Sequence, residues 1–249
     1  MRDILVTGIF IAGFFMAFRR PYVAALLWVW IGLMNPHRMG WGFAYSLPFG
    51  LISAALLVFA IMANPSKVRW PKGPTVVLLI LLVTWMGITS LGAIALEESM
   101  GRYINVLKVM LMTLAVAAVV RTREEILGLV IVVAGSIAFY GTKGGIFTVM
   151  TGGSHRVWGP TASVIEGNNE LAVALIVTVP LLYFLAMQVA LIKQLPLINK
   201  VPVRWIKLSL YAMSFFCLIA ALGTHSRGAL LAMSAMGAIL WWRSKSKLA

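Results

Sequence analysis

Apolar residues in this chain come in long runs separated by short polar breaks, near 4–18, 21–34, 48–63, 74–96, 104–120, 126–142, 170–190, 207–223 and 228–242. A continuous apolar run of roughly 20 residues, with about 17 to 25 tolerated, reads as a membrane-spanning helix. The pattern predicts an all-α, polytopic transmembrane bundle of about nine spans, organised as a single transmembrane domain over 1–249. The first three runs are short for a full crossing, so the opening pair reads as a tilted or re-entrant hairpin about Arg19, Arg20 and Pro21. The first eighteen residues hold one cation and no A-x-A cleavage site, which makes them a retained helix rather than a signal peptide. Pro-containing stretches at 64–74 and 193–205 read as interhelical loops. The longest interval that is not simply hydrophobic is KGGIFTVMTGGSHRVWGPTASVIEGNNE at 143–170, and its six glycines predict a long loop whose backbone turns sharply and admits a ligand.

Composition sharpens this reading. Hydrophobic residues make up 61% of the chain and charged residues 11%, with a mean hydropathy of +0.95, against about 25% charged in a soluble domain. A net charge of +14 would suit nucleic acid, but the cations sit in short loops between apolar runs, where they set orientation. If the nine runs alternate, one face collects Arg19, Arg20, Lys67, Arg69, Lys72, Arg121, Arg123, Lys193, Lys200, Arg204, Lys207, Arg243, Lys245 and Lys247, fourteen of the 21 basic residues. The other collects Arg2, Arg38, Arg102, Lys143, Arg156 and Arg227, and Lys108 falls within a span. The richer face is expected to be cytoplasmic. The N-terminus and the 143–170 loop then lie outside and Ala249 inside. The lone Cys217 lies in an apolar run and has no internal disulfide partner.

The external cations are the informative ones, because orientation does not require them. They accompany polar and aromatic neighbours in NPHRMGWGFAY at 35–45, EESMGRY at 97–103, the long loop, and THSRG at 224–228. Converged, these segments would form a basic pocket for a phosphate headgroup at the outer interface; unconverged, each Arg is a snorkelling helix end. Arg227 is the sharpest, since its turn is so short that the guanidinium sits at the membrane boundary, where a charge costs about 2.5–3.5 kcal/mol. A guanidinium grips phosphate oxygens two at a time, and Gly228 leaves room for approach. Lys108 lies roughly 9 Å below Arg102 along a helix and is expected to face the bundle interior. Asn168 and Asn169 add the polar contacts that a sugar wants. His155 and His225 are candidate general bases, although plain loop histidines are the commoner case. His37 with Arg38, Trp41 and Tyr45 suggests a sugar-recognition surface, while the membrane tryptophans equally suit an interfacial belt. Seven acidic residues with no D-x-D pair, and no zinc spacing, point to no metal and no cofactor. There is also no phosphate-binding P-loop and no nucleophile elbow.

NPHRMGWGFAYSLPF (35–49), INVLKVMLMT (104–113), FYGTKGGIFTVMTGGSHRVWGP (139–160), EGNNELAVAL (166–175) and THSRGALLA (224–232) together resemble the exosortase-A-associated O-glycosylation ligases, within the O-antigen ligase and polymerase superfamily. The resemblance implies a bacterial inner-membrane enzyme, active on the periplasmic face, that moves a glycan from an undecaprenyl diphosphate carrier to an acceptor protein or glycan hydroxyl without metal. It implies that the SRG arginine, Arg227, and Arg156 of the RVWGP motif hold the donor diphosphate, and the reading of the residues adds Lys143, Arg102, Lys108 and Arg38 as candidate substrate-binding cations. In that family the activating histidine lies in an external loop after further spans, so this chain looks like an N-terminal portion. Two other classes are a lipid-linked glycan transporter or flippase, for which no inverted repeat is visible, and a non-catalytic scaffold that binds the glycan lipid.

Overall fold

A computed structural model describes residues 2–161, 163–193 and 200–243. Residues 194–199 of the 193–205 stretch, and Lys245, Lys247 and Ala249, lie outside the described residues. Among the described residues there is no strand, and each of the nine apolar runs coincides with a helix. The helices are α1 (Arg2–Ala17), α2 (Pro21–Met34), α3 (Phe49–Ala63), α4 (Pro74–Leu91), α5 (Leu96–Val119), α6 (Arg123–Met150), α7 (Asn168–Met187), the single turn α8 (Val189–Ile192), α9 (Val203–Gly223) and α10 (Arg227–Arg243). Five of them, α4, α5, α6, α7 and α9, are long and apolar enough to cross a membrane, which marks a membrane protein. With 16, 14, 15 and 17 residues, α1, α2, α3 and α10 fall short of the roughly 20 that a full crossing needs.

Two helices, α5 and α6, extend furthest beyond their apolar runs. The first turn of α5 takes in Glu97 and Glu98, so 97–103 is helix and not a connecting loop. Carboxylates there face the unpaired N–H groups and positive end of the helix, which favours starting it among them. The other is α6, which runs to Met150, so the expected loop over 143–170 shrinks to 151–167. At 28 residues α6 is about 42 Å long, some 12 Å more than the hydrocarbon core, so its last turns can carry Lys143 without burying it in lipid.

The chain forms two compact units, residues 1–28 with 40–126, and residues 29–39 with 127–249. In the first, Phe10 of α1 meets Phe49 of α3 edge-on at 4.9 Å and Phe18 meets Phe59 at 5.6 Å. Gly13 leaves the space that Leu27 of α2 fills, and Gly87 of α4 does the same for the Tyr103 hydroxyl of α5. The buried residues of α5 are confined to Ala115, Val116, Ala118 and Val119 near its end. Lys108, two turns earlier, is therefore exposed and does not face an interior.

The second unit is built on α6, α7 and α9, whose core includes Ala134, Ala138, Leu171, Leu175, Leu182, Cys217 and Ala220. Lipid tails are as apolar as leucine, so such helices associate through small residues that let backbones approach. Gly141 and Gly145, one turn apart on α6, do this against α9. A Cβ at Gly141 would overlap the Cys217 Sγ, and one at Gly145 would overlap the Phe216 carbonyl oxygen. Tyr140, next to this seam, donates its hydroxyl to the Met34 carbonyl at 2.6 Å and ties the end of α2 to α6.

Candidate functional site

At one end of the second unit α6 stops, α7 starts, α9 stops and α10 starts, and the 151–167 segment is fastened over the 223–226 turn. Gly152 and Gly153 end α6 with φ of 59° and 74°, a left-handed backbone that glycine adopts without a Cβ penalty. The Gly153 N–H donates to the Thr148 carbonyl at 2.9 Å and Gly152 to Val149 at 3.2 Å, satisfying the last carbonyls of the helix. The chain then turns back over the end of α9.

Three hydrogen bonds fasten it there. The Val157 N–H donates to the Gly223 carbonyl at 2.9 Å. Asn168 Nδ2, from the first turn of α7, donates to the Thr224 carbonyl at 3.0 Å. His225 Nε2 lies 3.0 Å from the Gly153 carbonyl oxygen. A carbonyl only accepts, so Nε2 carries a proton. Packing adds a fourth fastening. The buried Val157 side chain wedges between α6 and α9, with a methyl 2.8 Å from where a Cβ would stand on Gly144 and another 3.0 Å from the same place on Gly223.

Alternation through the motif follows from that wedge. With Val157 pointing in, Arg156 and Trp158 on either side are exposed, and the Arg156 guanidinium sits 5.8 Å from the centre of the Trp158 ring. That is within cation–π range and holds the guanidinium outward. Gly159 then lets the loop close on itself: its N–H donates to the Glu166 carbonyl at 2.9 Å, and a Cβ would overlap the Ile165 carbonyl oxygen. Downstream the Glu170 carboxylate folds back over Gly167, the residue preceding α7, as a third-position glutamate does in a capping box.

The turn into α10 is equally determined. His225 has φ of 54°, ending α9 in the left-handed region at a cost of about 1–2 kcal/mol for a non-glycine residue. Ser226 Oγ accepts the Ala229 N–H at 3.3 Å and is the N-cap of α10. Thr224, fully buried, accepts the Ser226 N–H on Oγ1 at 3.3 Å and donates the same hydroxyl to Ala221 at 2.7 Å. Arg227 is the first residue of α10 and exposed, and a Cβ on the next residue, Gly228, would meet the Ser226 Oγ at 3.8 Å, an ordinary contact. A cation at a helix N-terminus opposes the helix dipole by about 0.3–1 kcal/mol. An anion bound there would satisfy both.

The candidate residues fall as follows. Arg156, Arg227, His155, His225, Asn168 and Asn169 belong to this end of the second unit, and one Val157–Gly223 hydrogen bond lies next to Arg156 and four residues from Arg227. Asn168 is half-buried and spends Nδ2 on Thr224, so it positions the turn; Asn169 is exposed. His155 is exposed, its ring 6.3 Å from that of Phe147. Lys143 is exposed on α6 and not in a loop, one turn before Phe147 on the same helix stripe. Arg38 is exposed in the 36–39 turn of this unit. Its neighbour His37 is buried, so it is no part of an exposed sugar surface, whereas Trp41 and Tyr45 are exposed. Desolvation first, and the Arg38 charge second, lower the His37 pKa below its usual 6.5. Arg102 and Lys108 are exposed on α5 of the first unit.

Sequence reasoning passed over Val157, Thr224 and Ser226, which shape the site without charge. A Ser three residues after a helix end and just before a new apolar run is a legible N-cap signal; a single Val between Arg and Trp carries none.

Residues 1–190 match the family described as "Family of unknown function (DUF5935)". No curated protein and no solved structure matches the chain.

Proposed function

Because the chain belongs to the DUF5935 family, whose description assigns no activity, we propose a function from the site's chemistry: this end of the second unit binds the diphosphate of an undecaprenyl-diphosphate-linked glycan in a membrane glycan ligase. The observation that carries the reading is the fastening of the 151–167 segment onto the 223–226 turn, with exposed Arg156 next to the Val157 anchor and exposed Arg227 at the start of α10. The reaction passes the glycan from its diphosphate carrier to a hydroxyl of an acceptor protein or glycan. The sugar–oxygen bond to the diphosphate breaks, the acceptor oxygen bonds to the same carbon, and the diphosphate leaves with added negative charge. Fixed guanidinium groups aimed at that charge lower the barrier. Arg227 and Arg156 take this role, with Lys143 as an outlying cation and side chains in place of metal.

Of the two histidines, His155 is the better candidate base. Its ring is exposed against Phe147, while the His225 ring is committed to Gly153. The excess of basic residues on the opposite side of the apolar runs favours a periplasmic position for this end in a bacterial inner membrane, with about nine crossings in all if the bilayer thins around the four short helices.

The test uses the complete protein in nanodiscs with a synthetic undecaprenyl-diphosphate glycan. Arg227→Lys keeps the charge and loses the two-pronged donor fork. Donor binding should weaken by about 10- to 100-fold, the value of one charged hydrogen bond. Unchanged binding and transfer in Arg227→Lys and Arg227→Ala together would remove the clamp from the reading. Binding without transfer would favour a scaffold.

A further inference from the structure

A second set of cations occupies the end of the first unit where α1 turns into α2, and no part of the site above uses it. Three connections meet there. Lys67 Nζ donates to the Arg19 carbonyl at 2.8 Å and Asn64 Nδ2 to the Phe18 carbonyl at 3.3 Å, fastening the segment after α3 to the α1–α2 turn. Two residues on, the Arg69 N–H donates to the Ala118 carbonyl at 3.0 Å, fastening the same segment to the end of α5 just before α6. These bonds gather Arg19, Arg20, Lys67, Arg69, Arg121 and Arg123, with Lys72 close behind, and all seven are exposed.

The acidic residues of these connections are Glu124 and Glu125. Glu125 Oε2 accepts the backbone N–H groups of Arg121 at 2.8 Å and Thr122 at 2.9 Å, while the Glu125 N–H donates to Thr122 Oγ1 at 3.2 Å. That reciprocal pair is the capping box of α6, so this carboxylate serves the backbone. The cations thus stand largely against one another. Setting orientation in the membrane needs only their number. It does not need them fastened by bonds between three connections. Apolar helices leave directly from the cluster, α4 at Pro74 and α6 at Arg123, and Trp70, 57% exposed, sits between Arg69 and Lys72. Tryptophan with one apolar and one polar edge suits the boundary between acyl chains and headgroups.

We propose that this end of the first unit binds anionic phospholipid headgroups, of the phosphatidylglycerol or cardiolipin kind, as its counter-anions. A phosphodiester offers oxygens to guanidinium forks. A glycerol headgroup adds no cation of its own, whereas the ammonium of a choline or ethanolamine headgroup would be repelled by the cluster. The lipid is favoured over a free phosphate because the cations ring the exit of apolar helices and include an exposed tryptophan.

The full chain is extracted in mild detergent, offered phosphatidylglycerol and phosphatidylcholine together, and examined by native mass spectrometry and thermal unfolding. The phosphatidylglycerol adduct should dominate and raise the midpoint. In Arg20→Gln/Arg69→Gln/Lys72→Gln, which keeps every hydrogen bond named above, affinity for that lipid should fall about 100-fold, three surface charges' worth. The control Lys193→Gln/Lys200→Gln/Arg243→Gln loses the same net charge elsewhere and should keep the adduct. Equal retention of the two lipids by the unaltered chain, an equal loss in both variants, or displacement of the lipid by inorganic phosphate would each overturn the proposal. The lipid competition needs no variant, so a triple variant that fails to fold leaves the test standing.

Discussion

Gly145→Ala is the most direct test of how the candidate site is supported. The added methyl would overlap the Phe216 carbonyl oxygen, a backbone atom inside α9 with no side-chain freedom to yield. Alanine is the better helix former by about 1 kcal/mol, which favours the variant. Overpacking costs about 1–3 kcal/mol and belongs at the upper end or beyond when neither contacting atom can move. The net is a loss of about 2 kcal/mol. Gly135→Ala, on the same helix, has nothing within 4 Å of the new methyl and should gain about 0.5–1 kcal/mol. At about 2–4 °C per kcal/mol for a chain of this size, the first lowers the unfolding midpoint by about 4–8 °C and the second raises it by a few degrees. Cys217 supplies the assay, because its buried thiol reacts with a fluorogenic maleimide only when α9 separates from its neighbours. If Gly145→Ala matches or exceeds Gly135→Ala in that assay, α6 and α9 do not meet at these glycines, and the placement of Val157 between them fails too.

Two further perturbations address the site's surroundings. His37 is held neutral by burial and by Arg38, so its folded pKa lies below 6.5, and the stability tied to it is present above 6.5 and lost as pH falls from 6.5 toward the folded value; thermal midpoints measured on both sides of pH 6.5 should fall with acid in the unaltered chain and flatten in His37→Gln. Asn168→Ala removes the bond to the Thr224 carbonyl, worth about 0.5–1.5 kcal/mol, and should speed tryptic cleavage after Arg156 severalfold; an unchanged rate would mean that Val157 and His225 hold the segment by themselves.

The two glycine pairs of the 143–160 stretch show where the sequence is readable and where it is not. Gly144-Gly145 and Gly152-Gly153 look alike on paper, and both suggest a loop. Only the second pair has positive φ and open space around it, and only it ends a helix. The first pair is helical because α9 lies against it, a fact about a segment some seventy residues away that local pattern does not contain. Among the described residues apolar runs located every helix but the single turn α8, because lipid and core make the same demand on a run of residues, whichever neighbour covers it. Lys108 failed for the complementary reason. Its position within an apolar run was visible, but the side of α5 that becomes buried depends on contacts near the helix end, at Ala115 to Val119. The charges of the candidate site were legible one by one. Their grouping depended on Val157, Thr224 and Ser226, none of which announces a role.

RVWGP therefore works as one device. An exposed guanidinium on a loop would ordinarily sample many positions, because a long side chain loses entropy when held. Here the segment is anchored by an apolar side chain set into two glycine positions, Gly144 and Gly223, and by the Val157 N–H on the Gly223 carbonyl. Anchoring the residue between them leaves Arg156 and Trp158 no choice but to face outward together. Arg227 is placed by a comparable economy of neutral groups, the Ser226 cap and the Thr224 hydroxyl, at a helix start where its charge is disfavoured. Under the function proposed above, an arginine held beside Trp158 and a second held against the helix dipole are the two groups an anion from outside the chain would meet.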